Sequence, residues 1–302
     1  MSEARRRLFA FLVFAYLFAL TIDLAAFVTL ERGGAGSSDP RTALVTMVWG
    51  FARMWSVTAA ALLSAVIGRE SLLGCLKRWL RVSKRSLLCY LSAPLLIYLA
   101  LGVYVLIAAP FGLFDFNAYV ELIASQLRAA GLAEELAPLV AFQQLLLGYF
   151  AAISVNAAFA LGEELGWRGY MFDLLERRLT ARGVVAIGVA WGLWHASATM
   201  LLGHNYGSNR LLGGFILFPV FTTLLSIPHM LLVEAADSVL PAASLHGAVN
   251  ALWGLTVVAT GLPLEARELY TGLGLAGFAA WAILDALIIK LRLKRARGDG
   301  RA

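Results

Sequence analysis

The sequence predicts an all-α polytopic membrane protein of about eight transmembrane helices, and three observations carry that prediction. The chain of 302 residues is 60% hydrophobic and 15% charged, and its mean hydropathy of +0.77 is far above that of a water-soluble domain of this length. Apolar runs of roughly 20 residues, each enough to cross a hydrocarbon layer of about 30 Å, recur from one end to the other. The cations sit in short segments between those runs, so the net charge of +6 reads as a topology signal and argues against a nucleic-acid partner. A single integral membrane domain over 1–302 follows, with the chemically interesting residues in a core of 139–262.

The first run, Leu8–Leu30, follows Arg5, Arg6 and Arg7. It is longer than the apolar core of a signal peptide and lacks a small-x-small cleavage site, so a retained helix is expected. The segment "ERGGAGSSDPR" has the Gly/Ser/Pro composition of a turn region and leads to a second run, Ala43–Ile67. A third run, Leu87–Phe111, precedes "FDFNAYVELIASQLRAAGLAEEL". The apolar spacing there fits an amphipathic helix lying on the outer membrane surface, and equally a solvated connector helix. The remaining runs are Pro138–Leu161, Val184–Leu202, Leu211–Leu232, Val239–Gly261 and Leu269–Ile289, with Pro228 expected to break the sixth.

The N-terminal arginines and the segments "LKRWLRVSKR", "ERRLTAR" and "KLRLKRAR" all fall on one side, which the positive-inside rule makes cytoplasmic. Both termini are therefore expected inside, in a plasma or inner cell membrane. The segment "VEAADSV" goes against the trend, carrying Glu234 and Asp237 without a cation. Cys75, read as a loop residue, and Cys89, read as a span residue, cannot form a disulfide framework and are expected reduced.

Ionisable side chains inside a span cost several kcal/mol unless paired or wet, so each is a functional candidate. Asp23 and Arg53 should lie at similar depth on the first two runs and form an inter-helix ion pair. Asp285, near the inner end of the last run, reads as structural and within reach of the basic tail. The stretch "GEELGWRGY" is more informative. Glu164 and Arg168 stand i,i+4 in the favourable order for an intrahelical pair, while Glu163 points about 100° away and is left without that partner. Asn156, two turns earlier, shares the Glu163 face. Alone, the acid doublet equally fits an interfacial charge pair at a helix end.

In "WGLWHAS", Trp191 and His195 are one turn apart, with His195 about twelve residues into the fifth run from its cytoplasmic end. Trp191 or Trp194 is placed to hold the imidazole. In "LHGAVNA", His246 and Asn250 share a helical face in the cytoplasmic half of the seventh run. Each group also has a plain reading, as packing or as inter-helix hydrogen bonding. Taken together, a carboxylate, two histidines and an amide on three spans form a hydrolytic set. Glu163 takes a proton from water, a histidine passes it to the leaving amine, and His246 with Asn250 donates to a developing oxyanion. The same donors, His195, His246 and Glu163, also fit a zinc site with an open water position, although no HExxH is present. His229, beside Pro228, is a weaker candidate, and His204 reads as a solvated or interfacial loop residue.

The ordered triplet "EELGWRGY", "WGLWH" and "HGAVN" resembles the EExxxR, FxxxH and HxxxN motifs of the CAAX prenyl endopeptidase and bacteriocin-processing family, the CPBP (Abi-like) intramembrane proteases. The resemblance spans about Asn156 to Ala251. It implies eight membrane helices around a catalytic cavity open to the cytoplasmic side and the lipid, with Glu163 and His195 activating water, His246 and Asn250 stabilising the oxyanion, and Glu164 and Arg168 in support. It implies a peptide or lipidated, CAAX-like peptide as substrate and leaves metal dependence open. Trp191 departs from the family's usual phenylalanine and bears on pocket shape. The resemblance also accommodates a non-proteolytic immunity or adaptor protein that binds a peptide or partner in the same cavity. It fixes neither the natural substrate nor the oligomeric state.

Overall fold

The computed structural model describes residues 3–33 and 39–298, and every regular element among them is helical. The two long N-terminal helices are α1 (Glu3–Gly33) and α2 (Pro40–Ile67). The Gly/Ser/Pro turn region expected between them falls largely on 34–38, outside the described residues. Asp39 caps α2 by accepting from the Arg41 backbone amide, and Pro40 fills the first turn, where a missing N–H costs nothing. The basic segment that follows is partly helical, holding α3 (Leu72–Trp79). Cys75 is thus a buried helix residue and not a loop residue. Ser83 then opens α4 (Lys84–Ser92) with a reciprocal capping box to Ser86, and α5 (Leu95–Ala108) continues the same span. The connector forms α6 (Phe116–Ala129), which packs through Ile123 on Ala137 and Ala141 of α7 (Ala137–Ala152).

Among the described residues, seven helices are long and apolar enough to cross a membrane, against eight apolar runs in the sequence. The difference lies in the runs that carry motifs. The fourth run splits at Ile153 and Ser154, where Ser154 adopts φ −129 and ψ −100, and the acid doublet falls on a separate helix, α8 (Val155–Glu164). That helix passes into a π-helical turn, Leu165–Met171, and then into α9 (Phe172–Leu174). After α10 (Ala181–Trp194) and α11 (Ala196–Leu202) come α12 (Arg210–Leu212), a second π turn at Gly213–Leu217, and α13 (Phe218–Ala236). The seventh run is divided into α14 (Leu240–Ala248), a third π turn at Val249–Trp253, and α15 (Leu255–Val258). Helices α16 (Leu264–Tyr270) and α17 (Leu275–Gly298) complete the chain. Pro228 lies inside α13, which continues to Ala236 and is not broken there; packed neighbours tolerate a proline in a membrane helix.

Lipid supplies no hydrophobic force between helices, so close packing must hold them together. Glycines supply it at two crossings. A Cβ on Gly162 of α8 would lie 2.9 Å from the Met54 backbone of α2, and Thr58 closes that contact by donating to the Gly162 carbonyl at 2.6 Å. A Cβ on Gly247 of α14 would lie 2.5 Å from the Ala152 carbonyl oxygen, and there Asn156 donates to the Gly247 carbonyl at 3.3 Å. Asn156 therefore ties α8 to α14.

The bundle has two chemically distinct ends. At one, Arg7 pairs with Glu70, Arg78 and Arg177 with Asp173, Arg81 with Asp237, and Arg292 with Glu234. Four basic segments of the sequence thus meet at this end, and the two acids of "VEAADSV" join them as counter-charges. At the other end Glu268 accepts from the backbone amides of Ser208 and Asn209, and Tyr206 donates to the Leu273 carbonyl.

Candidate active site

The acid doublet is divided by its partners. Glu164 is fully buried and accepts from Arg168 at 3.0 Å, as the i,i+4 spacing predicts. Arg168, equally buried, also donates to Ser226 of α13 at 3.1 Å and lies over the Trp191 ring at 4.0 Å. A carboxylate and a guanidinium each cost several kcal/mol to bury alone, and this double bonding makes the pair tolerable in an apolar core. Glu163, 2% exposed, takes no bond from Arg168. Its Oε2 accepts from the Trp191 indole N–H at 2.5 Å. This contact was not legible in the motif, where the aromatic position suggests packing alone.

His195 ends α10 at the junction with α11 and is 7% exposed. Its Nδ1 lies 2.9 Å from the Trp191 carbonyl oxygen, which can only accept, so Nδ1 carries the proton and Nε2 keeps its lone pair. The ring is held between Trp194, at 4.7 Å between centroids, and Phe218, at 4.6 Å. His246 is tied in the same way. Its Nδ1–H donates at 2.9 Å to Glu164 Oε1, the oxygen that also takes Arg168. Trp191 stands beside both histidines, 6.2 Å from the His195 ring and 5.2 Å from that of His246. Asn250 falls in the third π turn, and its exposed side chain lines the same cavity as His246. Two of the three π turns directly adjoin site residues, a placement common at functional positions.

These residues meet in a cavity of about 370 Å³ whose lining includes Glu163, Trp191, His195, His246 and Asn250. The structure thus brings together the four residues of the hydrolytic set, while Glu164 and Arg168 lie behind them. Arg53 and His204 are among the further polar residues that line it. Arg53 forms the expected pair with Asp23 at 2.8 Å, and also donates to the Trp194 carbonyl and stacks at 3.7 Å on the Trp194 ring. Trp49 and Ser197 complete the shell around Asp23, at 2.7 and 2.6 Å. His204 is not a free loop residue. Its loop folds back so that its ring lies 5.3 Å from Trp49 and 6.3 Å from His195. Burial, and then the nearby Arg53 cation, push the His204 imidazole down to about 4. Nothing in the local sequence signals this fold-back.

Glu163, His195 and His246 do not converge as zinc ligands. Among the described residues, the donors that lie within 4.8 Å of one another are those of Glu164, His229 and His246. His229 is fully buried, and its Nδ1–H donates to the Leu225 carbonyl at 2.6 Å. A divalent ion there would share Glu164 with the Arg168 guanidinium, and the repulsion between the two cations opposes it. Asp285 is buried, and among the described residues neither of its carboxylate oxygens has a hydrogen-bond partner.

No curated protein and no solved structure matches the chain. A family match does exist: type II CAAX prenyl endopeptidase Rce1-like, over residues 119–252. That interval contains both acids, Arg168, Trp191, both histidines and Asn250. The matched stretch, which carries most of the site residues but not the α2 wall, is thus similar to the CAAX prenyl endopeptidase family, the CPBP intramembrane proteases.

Proposed function

We propose that the chain is an intramembrane endopeptidase in which Glu163 and His195 activate water and His246 with Asn250 stabilises the oxyanion. The observation that carries this reading is the unequal treatment of the two acids. Glu164 gives Oε1 to both Arg168 and His246 and lies behind the cavity, whereas Glu163 is steadied by one indole N–H and faces it. A carboxylate held by a single neutral donor keeps an oxygen for a water proton.

Water placed against Glu163 and His195 Nε2 gives up a proton as its oxygen attacks the scissile carbonyl carbon. The carbonyl oxygen gains charge, which His246 and the Asn250 amide N–H stabilise by hydrogen bonding. Glu164 holds the His246 ring in place through Nδ1. Collapse of the tetrahedral species breaks the C–N bond, and the proton first taken from water passes by way of His195 to the leaving amine. The products are a carboxylic acid, which keeps the second proton of the water until it ionises, and a free amine. The apolar walls given by Phe218, Phe221, Leu225 and Trp253 suit a membrane-bound or lipidated peptide.

The test is cleavage by purified protein of peptides with and without a prenyl group. Glu163→Gln, His195→Ala and His246→Ala are expected to abolish turnover while inserted, folded protein persists. Normal turnover in those variants would overturn the assignment.

A further inference from the structure

We propose that a trough at the basic end of the bundle, separate from the cavity described above, binds one anionic phospholipid, with Arg85 and Arg292 holding its phosphate.

The trough encloses about 520 Å³ between α4, α5, α13 and α17, and it shares no lining residue with the cavity that holds Glu163 and His195. Its lining is graded by depth. Arg85 stands one residue after the start of the span Lys84–Phe111, and Glu234 and Arg292 each stand two residues before the ends of the spans Arg210–Ala236 and Leu264–Lys294. The apolar walls lie farther into the same spans, with Leu96 on α5, Leu231 and Leu232 on α13, and Ile288 and Leu291 on α17. Ile288 is four residues deeper than Arg292, about 6 Å of helix rise. The charged groups therefore stand at the level of lipid headgroups and the walls at that of the acyl chains.

The charges leave a place for an anion. Glu234 is already committed, accepting from both terminal nitrogens of Arg292 at 2.7 and 3.1 Å and from the Leu179 amide at 3.2 Å. Arg85 is exposed, and among the described residues no hydrogen bond or ion pair engages it. Two arginines against one acid leave one positive charge, the complement of one phosphodiester, and a guanidinium presents its N–H donors in the geometry that phosphate oxygens accept. Apolar contact alone would not choose an occupant, because one lipid tail fills such a trough as well as another. The charge makes the choice. A soluble anion would leave the apolar walls against water, whereas an amphiphile with one phosphate meets both parts of the lining. Basic pockets between membrane helices hold anionic headgroups in this way.

Native mass spectrometry tests the assignment on the full chain, purified in detergent and mixed with equimolar palmitoyl-oleoyl phosphatidylglycerol and phosphatidylcholine. Wild-type protein is expected to favour phosphatidylglycerol about fivefold in its first bound lipid, on the order of the attraction that one cation supplies. Arg85→Gln removes no contact within the protein, so the fold is expected to persist while the preference disappears. Glu234→Gln frees Arg292 and is expected to strengthen the preference. Arg41→Gln, at the other end of α2 from the basic end, is expected to change nothing. Equal retention of the two lipids by wild type, an unchanged preference in Arg85→Gln or a weaker one in Glu234→Gln overturns the proposal. A loss in Arg41→Gln equal to that in Arg85→Gln also overturns it, since attraction would then follow total charge. Soluble glycerophosphate at the concentration of the lipids is expected not to compete, and displacement of phosphatidylglycerol by it would overturn the assignment to a lipid.

Discussion

Replacing Trp191 by phenylalanine removes one hydrogen bond from Glu163 and little else. The indole N–H donates to Glu163 Oε2 at 2.5 Å, while the ring packs 5.2 Å from His246, 5.8 Å from His229 and 4.0 Å below the Arg168 guanidinium. A phenyl ring keeps most of those contacts and is the residue the family motif usually carries, so the fold is expected to persist. A hydrogen bond to a charged group contributes about 1.5–3 kcal/mol. If Glu163 must be held for attack, that loss slows cleavage roughly 10- to 150-fold at about 1.4 kcal/mol per decade. Initial rates in proteoliposomes, with thermal unfolding measured in parallel, decide the matter. A rate within threefold of wild type, or a loss explained by unfolded protein, would refute the role assigned to the indole.

Glu164→Gln leaves the buried Arg168 without its counter-charge, and a broken buried pair costs about 3–5 kcal/mol; a marked fall in Tm is expected, with turnover lost through His246 misplacement. Asp23→Asn is expected to destabilise likewise by stranding Arg53, and the double variant Asp23→Asn, Arg53→Gln should recover part of that loss in a thermal double-mutant cycle. Chelation by 1,10-phenanthroline is expected to leave cleavage unchanged, and inhibition reversed by added zinc would contradict the donor geometry described for Glu164, His229 and His246. His204 supplies a pH dependence whose sign follows from its pKa of about 4, below the unfolded value of about 6.5. Between those values the unfolded chain binds a proton that the folded state refuses, so stability falls as pH drops through that window. Thermal unfolding at pH 7 and pH 5 is expected to show a smaller acid loss for His204→Gln than for wild type.

Much of the site was legible because its residues are the wrong type for their place. Two acids, an arginine and two histidines in apolar runs each demand a partner, and the i,i+4 spacing of Glu164 and Arg168 names one directly. The Asp23 and Arg53 pair was found in the same way, from two lone charges at matching depth. What escaped was set by tertiary contact. The indole bond to Glu163 depends on where α10 crosses α8, and the His204 fold-back depends on a loop docking against α2. The seventh run is divided by a π turn at Val249–Trp253 that hydropathy does not register, since the residues remain largely apolar. Pro228 misled for the opposite reason, because a local rule about helix breaking gives way when neighbouring helices pack around the site. Only the packed helices reveal which half of each one lines the cavity.

The central claim is that Glu163, and not its neighbour, activates the attacking water. Its most direct test is single-turnover cleavage by Glu163→Gln protein in proteoliposomes, followed by mass spectrometry of the products, with wild-type protein as reference. The account predicts an intact substrate, a rate at least 1,000-fold below wild type, on the order of a lost general base, and an unaltered Tm. A Glu163→Gln protein that still cuts at a rate near wild type would contradict it.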